Sequence, residues 1–125
     1  MAQATPPTRD RSAPLILVVE DDLLVRMLTT EHLLDLGYDV LEASGGDDAL
    51  EMLEARPDID LLLTDVRMDG LNGFVLAKHA RELRPDLKIL FATAYRFDRP
   101  AGAVVLPKPY RLEQLQSVLN SVLHS

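Results

Sequence analysis

From Leu15 onward the chain alternates between two hydrophobic rhythms, and this alternation limits the fold more than any other feature of its 125 residues. Leu15-Ile-Leu-Val-Val19 is an unbroken apolar run, the pattern of a strand covered on both faces. It stops abruptly at Glu20-Asp21-Asp22. Leu23 to Leu36 then reads as a helix, with Gly37 in the C-terminal capping position. Tyr38 to Ala43 is a shorter strand of mixed character, as suits a sheet edge. Ser44-Gly-Gly-Asp47 resembles a capping box that opens a helix running to about Arg56 and burying Ala49, Leu50 and Leu53. After Pro57-Asp58, Ile59 to Asp65 reads as a strand. Gly70, Asn72 and Gly73 form a loop, and Phe74 to Leu83 is helical. Leu87 to Thr93 and Ala103 to Leu106 are the last two strands. Arg111 to Leu123 closes the chain as a helix with the stripe Leu112, Leu115, Val118, Leu119 and Val122.

Strands alternating with helices across short loops predict an α/β fold, an open, doubly wound parallel sheet with helices on both faces. One crossover is short. Only nine residues separate Thr93 from Ala103, among them Arg96, Asp98, Arg99, Pro100 and Gly102. That is too few for a loop, a full helix and another loop. Four substantial helices around five strands are therefore expected, with the fourth crossover helix short or missing.

Composition narrows the function classes. With 47% hydrophobic residues the chain can build one core without staples, and with no cysteine it has neither disulfides nor thiolate metal sites. Its net charge of −7 repels phosphate backbones and argues against nucleic acid as a partner. Its apolar runs are too short to span a bilayer, and no signal peptide precedes them. A cytoplasmic protein is expected. Residues 1–14 contain three prolines and few apolar groups, so they read as a flexible tail before a single domain over 15–125.

Ligands of open parallel sheets sit beyond the carboxyl ends of the strands. There the sequence sets Glu20, Asp21 and Asp22 after the first strand, Asp65 after the third, Thr93 at the end of the fourth and Lys108 after the fifth. If Glu20, Asp21 and Asp65 converge, each carboxylate pair at about 4 Å costs about 4 kcal/mol at an effective dielectric near 20. Such a cluster must protonate, spread apart or hold a cation. All-oxygen ligands with room for water suit Mg²⁺, with Mn²⁺ as a substitute. A dication together with Lys108 neutralises a phosphoryl group, Thr93 can donate a hydrogen bond to it, and an Asp carboxylate can accept it. The site fits phosphoryl transfer onto Asp65.

Four motifs together resemble a response-regulator receiver domain over about Leu15 to Leu123. They are Val18-Val-Glu-Asp-Asp22, Leu63-Thr-Asp-Val-Arg-Met68 with Gly70-Leu-Asn-Gly73, Phe91-Ala-Thr-Ala-Tyr95, and Leu106-Pro-Lys-Pro109. The resemblance implies the flavodoxin-like strand order 2-1-3-4-5 and phosphorylation of Asp65 by a histidine kinase or histidine phosphotransfer protein. It implies Mg²⁺ held by Asp21, Asp65 and the carbonyl of Arg67, with Glu20 helping through water. Thr93 and Lys108 carry over as switch hydroxyl and phosphoryl-pairing amine, and a cis peptide is implied at Lys108–Pro109. The chain departs from the family at Asp69, where proline is usual, and at Val105, where an aromatic is common. Its short interval from Thr93 to Lys108 resembles a subgroup of single-domain receivers with a truncated fourth helix and a Phe-Ala-Thr-Gly-X-Tyr motif.

Several residues have plainer readings. Asp22 is expected to cap the first helix rather than bind metal. His32 reads as a packed histidine on the stripe Val25, Leu28, Leu33 and Leu36, and His79 and His124 as surface residues. Tyr95 is either a moving aromatic that substitutes for the one missing at Val105 or a half-buried loop side chain. The Arg67 side chain is a candidate shield for an acyl phosphate. Leu24, Met27 and Leu34 form a second apolar stripe on the first helix, either buried or a docking surface for a partner's helix bundle. The loop from Ala94 to Ala101 is expected to be the most mobile part of the domain.

The reading that follows is a stand-alone response regulator with no effector domain, which signals by protein contact or passes its phosphoryl group on. It is not an enzyme beyond its own phosphorylation and dephosphorylation. The alternatives are an aspartyl-phosphate phosphohydrolase, disfavoured because Arg67 stands where such enzymes carry a second acid, and a receiver belonging to a hybrid histidine kinase.

Overall fold

The computed structural model describes residues 13–68, 72–94 and 102–124. Strands β1 (Leu15–Val19), β2 (Asp39–Ala43), β3 (Leu61–Asp65), β4 (Lys88–Thr93) and β5 (Val105–Pro107) alternate with helices α1 (Leu23–Asp35), α2 (Gly46–Ala55), α3 (Gly73–Leu83) and α4 (Leu112–Leu123). All strands are parallel, in the order β2-β1-β3-β4-β5. The expected doubly wound sheet and its strand order are both present, with four helices among the described residues. Most of the 1–14 tail and of the Ala94–Ala101 loop, together with Asp69 and Tyr95, lie outside the described residues.

The continuous apolar runs are explained by two cores. Successive residues of a strand face opposite ways. Leu15, Leu17 and Val19 of β1 pack with Ala49 and Leu53 of α2 and Leu76 and Ala80 of α3. Ile16 and Val18 pack with Leu33 of α1 and Leu115, Leu119 and Val122 of α4. The sheet is thus buried on both faces, and its polar groups collect at the strand ends.

Local chemistry sets the boundaries. Asp22 caps α1 as expected, its Oδ1 accepting from the Val25 N–H at 3.1 Å. The capping box expected at Ser44 is not formed. Gly45 is the N-cap of α2 without a side-chain bond, and the Ser44 hydroxyl donates instead to Asp48 at 3.0 Å. Half of a capping box opens α4: the Arg111 N–H donates to Gln114 Oε1 at 2.7 Å, and the Gln114 N–H donates to the Arg111 carbonyl at 3.0 Å because an arginine side chain cannot accept. The fifth strand begins two residues later than expected and includes Pro107. A proline is tolerated there because β5 is an edge strand. Its ladder still reaches from Phe91 N–H to Val104 O (2.9 Å) through to Lys108 N–H to Thr93 O (2.8 Å).

Two expected core residues face solvent. Leu28 is 48% exposed and Leu112 is 40% exposed. On α1 the sheet-facing position is taken by buried Thr29, and Leu28 joins Leu23, Leu24, Met27 and Leu34 on an exposed apolar surface. His32 is half-buried, its Nδ1 enclosed without a partner, as a packed histidine. His79 pairs with Glu82 at the surface, and His124 follows α4 in an exposed position.

Candidate phosphoacceptor site

Parallel strands bring four segments to one end of the sheet. Glu20 directly follows β1, Asp65 ends β3, Thr93 ends β4 and Lys108 follows β5. The Lys108 ammonium donates to Glu20 Oε1 at 2.9 Å and to Asp65 Oδ2 at 3.1 Å. All three side chains are mostly enclosed, with exposures of 20% for Lys108, 9% for Glu20 and 14% for Asp65. Thr93 is buried at the same end, and the Lys108–Pro109 peptide is cis. The Arg67 N–H donates to Asp65 Oδ1 at 3.2 Å, and the Thr64 hydroxyl to the Asp65 carbonyl at 2.8 Å. Asp21 and the side chain of Arg67 are exposed beside the pair.

The expected three-acid cluster is therefore a buried pair with a neighbour. Among the described residues no group of three or more His, Cys, Asp or Glu side chains is gathered as a metal cage. The cation that relieves the repulsion of Glu20 and Asp65 is Lys108. One ammonium serves two carboxylates, and the electrostatics follow from that. Burial raises the Glu20 carboxyl above its usual range and Asp65 adds to the rise, while Lys108 opposes it. Burial pulls the Lys108 ammonium down, but the two carboxylates outweigh it and hold its pKa above the ordinary lysine value. Lys108 bridges Glu20 and Asp65, Asp21 follows Glu20 in the chain, and the side-chain donors these acids offer a cation are all oxygens. Mg²⁺ needs only one or two carboxylates and keeps several waters, so this donor set fits it without a closed cage.

A family model for the response regulator receiver domain matches residues 16–120. The chain belongs to the response regulator receiver family. It is 37% identical over 115 residues to the response regulator receiver protein CpdR of Brucella abortus, covering 86% of this chain and 95% of that protein. It is 36% identical to sensor kinase CckA of the same organism over 86% of this chain, but spans only 12% of that kinase. Among solved structures, the receiver domain of the hybrid histidine kinase CckA superposes with a TM-score of 0.77 at 36% identity, covering 87% of this chain and 98% of that one. Thermotoga maritima response regulator TrrA, solved in complex with Mg²⁺ and BeF, superposes with a TM-score of 0.81 at 30% identity, covering 88% and 99%. Receivers interact with histidine kinases or phosphotransfer proteins, and the family generally binds Mg²⁺. Among the described residues no helix is long and apolar enough to cross a membrane.

Two supports of this receiver site lie in residues that the sequence reading assigns to a loop. Asn72, read as loop, caps α3 through Oδ1, which accepts from the Phe74 N–H at 2.7 Å. Gly73, also read as loop, is the first residue of α3, and its N–H donates to the Val66 carbonyl at 2.8 Å. A Cβ on Gly73 would overlap the Asp65 carbonyl oxygen and stand 2.9 Å from Val66 Cα. The obstacle is backbone and cannot rotate away, so the glycine is required for close approach rather than for its dihedral angles. The Asn-Gly pair was a usable capping signal. Gly73→Ala is expected to cost at least about 2 kcal/mol in urea unfolding, because it overpacks the backbone beneath Asp65. Wild-type stability would contradict this.

Lys108→Ala leaves two buried acids without their cation, at an expected cost of about 3 kcal/mol at neutral pH. The loss should depend on pH. A carboxyl raised in the folded state favours the protonated form there, so its contribution is complete below the ordinary glutamate value near 4.5 and is lost as pH rises through the raised folded value. The deficit of the variant against wild type should therefore shrink as the pH is lowered from 8 to about 5. Paired urea titrations at the two ends check this, and an unchanged deficit would rule it out.

Proposed function

We propose that this receiver is a stand-alone response regulator that accepts a phosphoryl group on Asp65 from a histidine kinase or histidine phosphotransfer protein. The observation that carries the reading is the Lys108 ammonium bridging Glu20 and Asp65 at the carboxyl end of a parallel sheet. A carboxylate oxygen of Asp65 forms the new bond to phosphorus. The nitrogen–phosphorus bond of the donor phosphohistidine breaks, and its electron pair returns to the imidazole. Lys108 is already within reach of Asp65 and pairs with the added negative charge, and Thr93 supplies a hydroxyl at the same strand end. Asp21, Asp65 and the Arg67 carbonyl are the proposed Mg²⁺ ligands, with Glu20 acting through water. When bound, the ion supplies positive charge to the transferring phosphoryl oxygens.

We read the chain as a signalling protein rather than an enzyme acting on small phosphoesters. Arg67 stands two residues after Asp65, so that position offers no second acid to protonate the leaving group of a small phosphoester. The donor must bring its phosphoryl group to Asp65 from outside. The stand-alone reading is supported by the match to CpdR along 95% of that protein, and the cytoplasm is the expected compartment. Output is by phosphorylation-dependent protein contact or by passing the phosphoryl group on. The test is phosphotransfer profiling against phosphorylated histidine kinases and phosphotransfer proteins of the source organism. One donor should label the chain rapidly, with the alkali-lability of an acyl phosphate. Failure of every donor would overturn the reading.

A further inference from the structure

The turn that carries Asp21 is held by a side chain outside the acid pocket. Arg26, on the second turn of α1, is 15% exposed. Its Nη1 donates to the Glu20 carbonyl at 2.7 Å, and its Nε pairs with Glu42 Oε1 of β2 at 3.1 Å. The guanidinium thereby ties the residue after β1 to the neighbouring strand. A rigid planar fork does this well, because one group satisfies two partners in fixed directions.

The consequence falls on Asp21. The peptide before it ends in the Glu20 carbonyl, which Arg26 holds. The peptide after it carries the Asp22 N–H, which donates to Glu20 Oε2 at 3.3 Å. The Glu20 N–H in turn donates to the Ala43 carbonyl of β2 at 3.2 Å. Both peptide planes flanking Asp21 are pinned, and these planes set the direction of its Cα–Cβ bond. Asp21 itself is exposed, and these main-chain anchors set where its side chain leaves the backbone. We infer that Arg26 is a positioning residue for cation binding, orienting Asp21 through the Glu20 carbonyl. This inference rests on the proposed Mg²⁺ ligation.

The sign of the effect separates positioning from charge. Arg26 is a cation beside an acid pocket, so by Coulomb's law alone its removal tightens binding of a dication. If Arg26 acts by orientation, its removal weakens binding. Calorimetric titration of Mg²⁺ into wild type and Arg26→Gln is the test, repeated with Mn²⁺ followed by the paramagnetic signal of the free ion. Arg26→Gln is expected to bind roughly tenfold more weakly, the scale seen when an outer-shell support of a metal ligand is lost. Urea unfolding of the metal-free proteins, run alongside, shows that the affinities belong to folded protein. A purely structural arginine would lower the unfolding midpoint and leave the affinity of the folded fraction unchanged. Equal or tighter Mg²⁺ binding by Arg26→Gln, with wild type binding normally, overturns the inference alone. Failure of wild type to bind Mg²⁺ overturns the ligation reading beneath it. Should Arg26→Gln not fold, Arg26→Lys decides, since it keeps the charge and loses the fork: weaker binding supports positioning, and wild-type affinity refutes it.

Discussion

Asp65→Asn is expected to leave the domain folded and to abolish its labelling by any phosphohistidine donor. The substitution removes the nucleophile and little else. A carboxylate oxygen attacks phosphorus, and a neutral amide oxygen does not do so at a comparable rate. The fall in transfer should be at least roughly a thousandfold. The surroundings tolerate the change. The substituted amide side chain retains an oxygen able to accept from the Arg67 N–H, now bonded to Asp65 Oδ1 at 3.2 Å. Lys108 keeps Glu20 at 2.9 Å when it loses the Asp65 charge at 3.1 Å. The substitution also removes the like charge that helps to raise the Glu20 carboxyl. These opposing effects should keep the unfolding free energy within about 1 kcal/mol of wild type. Transfer from a labelled histidine donor, read on gels with parallel urea titrations, checks both parts. Labelling of the Asp65→Asn variant at the wild-type rate would remove Asp65 as acceptor.

The strand-end chemistry was legible in the sequence because parallel topology fixes where a residue after each strand must lie. Glu20, Asp65, Thr93 and Lys108 needed only the β/α alternation to be placed together. The role of Lys108 was less visible. Repulsion between the acids demanded a cation, and residue spacing does not show that an amine 43 positions beyond Asp65 already bridges the pair. Gly73 escaped notice because its constraint is a backbone contact with Asp65, which leaves no periodic trace. Arg26 escaped for a related reason, since its partners are a carbonyl six residues earlier and an acid on another strand. Leu28 and Leu112 were misplaced because an apolar stripe on a helix identifies a face without saying where its edge meets solvent. Pro107 lies one residue beyond the strand expected over Ala103 to Leu106, and the edge position of β5 is what lets a residue without an N–H join it.

The exposed side of α1 sets the second large effect. Leu24 is 65% exposed and Met27 47%, and Leu23, Leu28 and Leu34 extend the same apolar surface. Exposed apolar side chains grouped on one helix suit a protein contact, and we propose this face as the docking site of the histidine donor. The Asp22 cap joins this helix directly to the Glu20–Asp22 turn, so a partner resting on α1 lies beside the phosphoacceptor. Leu24→Ser combined with Met27→Ser is expected to slow transfer from the cognate histidine donor by about a hundredfold, the loss of two apolar contacts worth about 1–2 kcal/mol each. Both side chains already face water, so the unfolding midpoint should shift by no more than about 0.5 kcal/mol equivalent. Labelling by a small donor such as acetyl phosphate needs no docking surface and should proceed at the wild-type rate. That contrast separates a docking defect from a damaged site. If the double variant takes phosphate from the protein donor as fast as wild type, α1 is not where the donor sits. If both donors fail together, the substitutions have disturbed the Glu20–Asp22 turn instead.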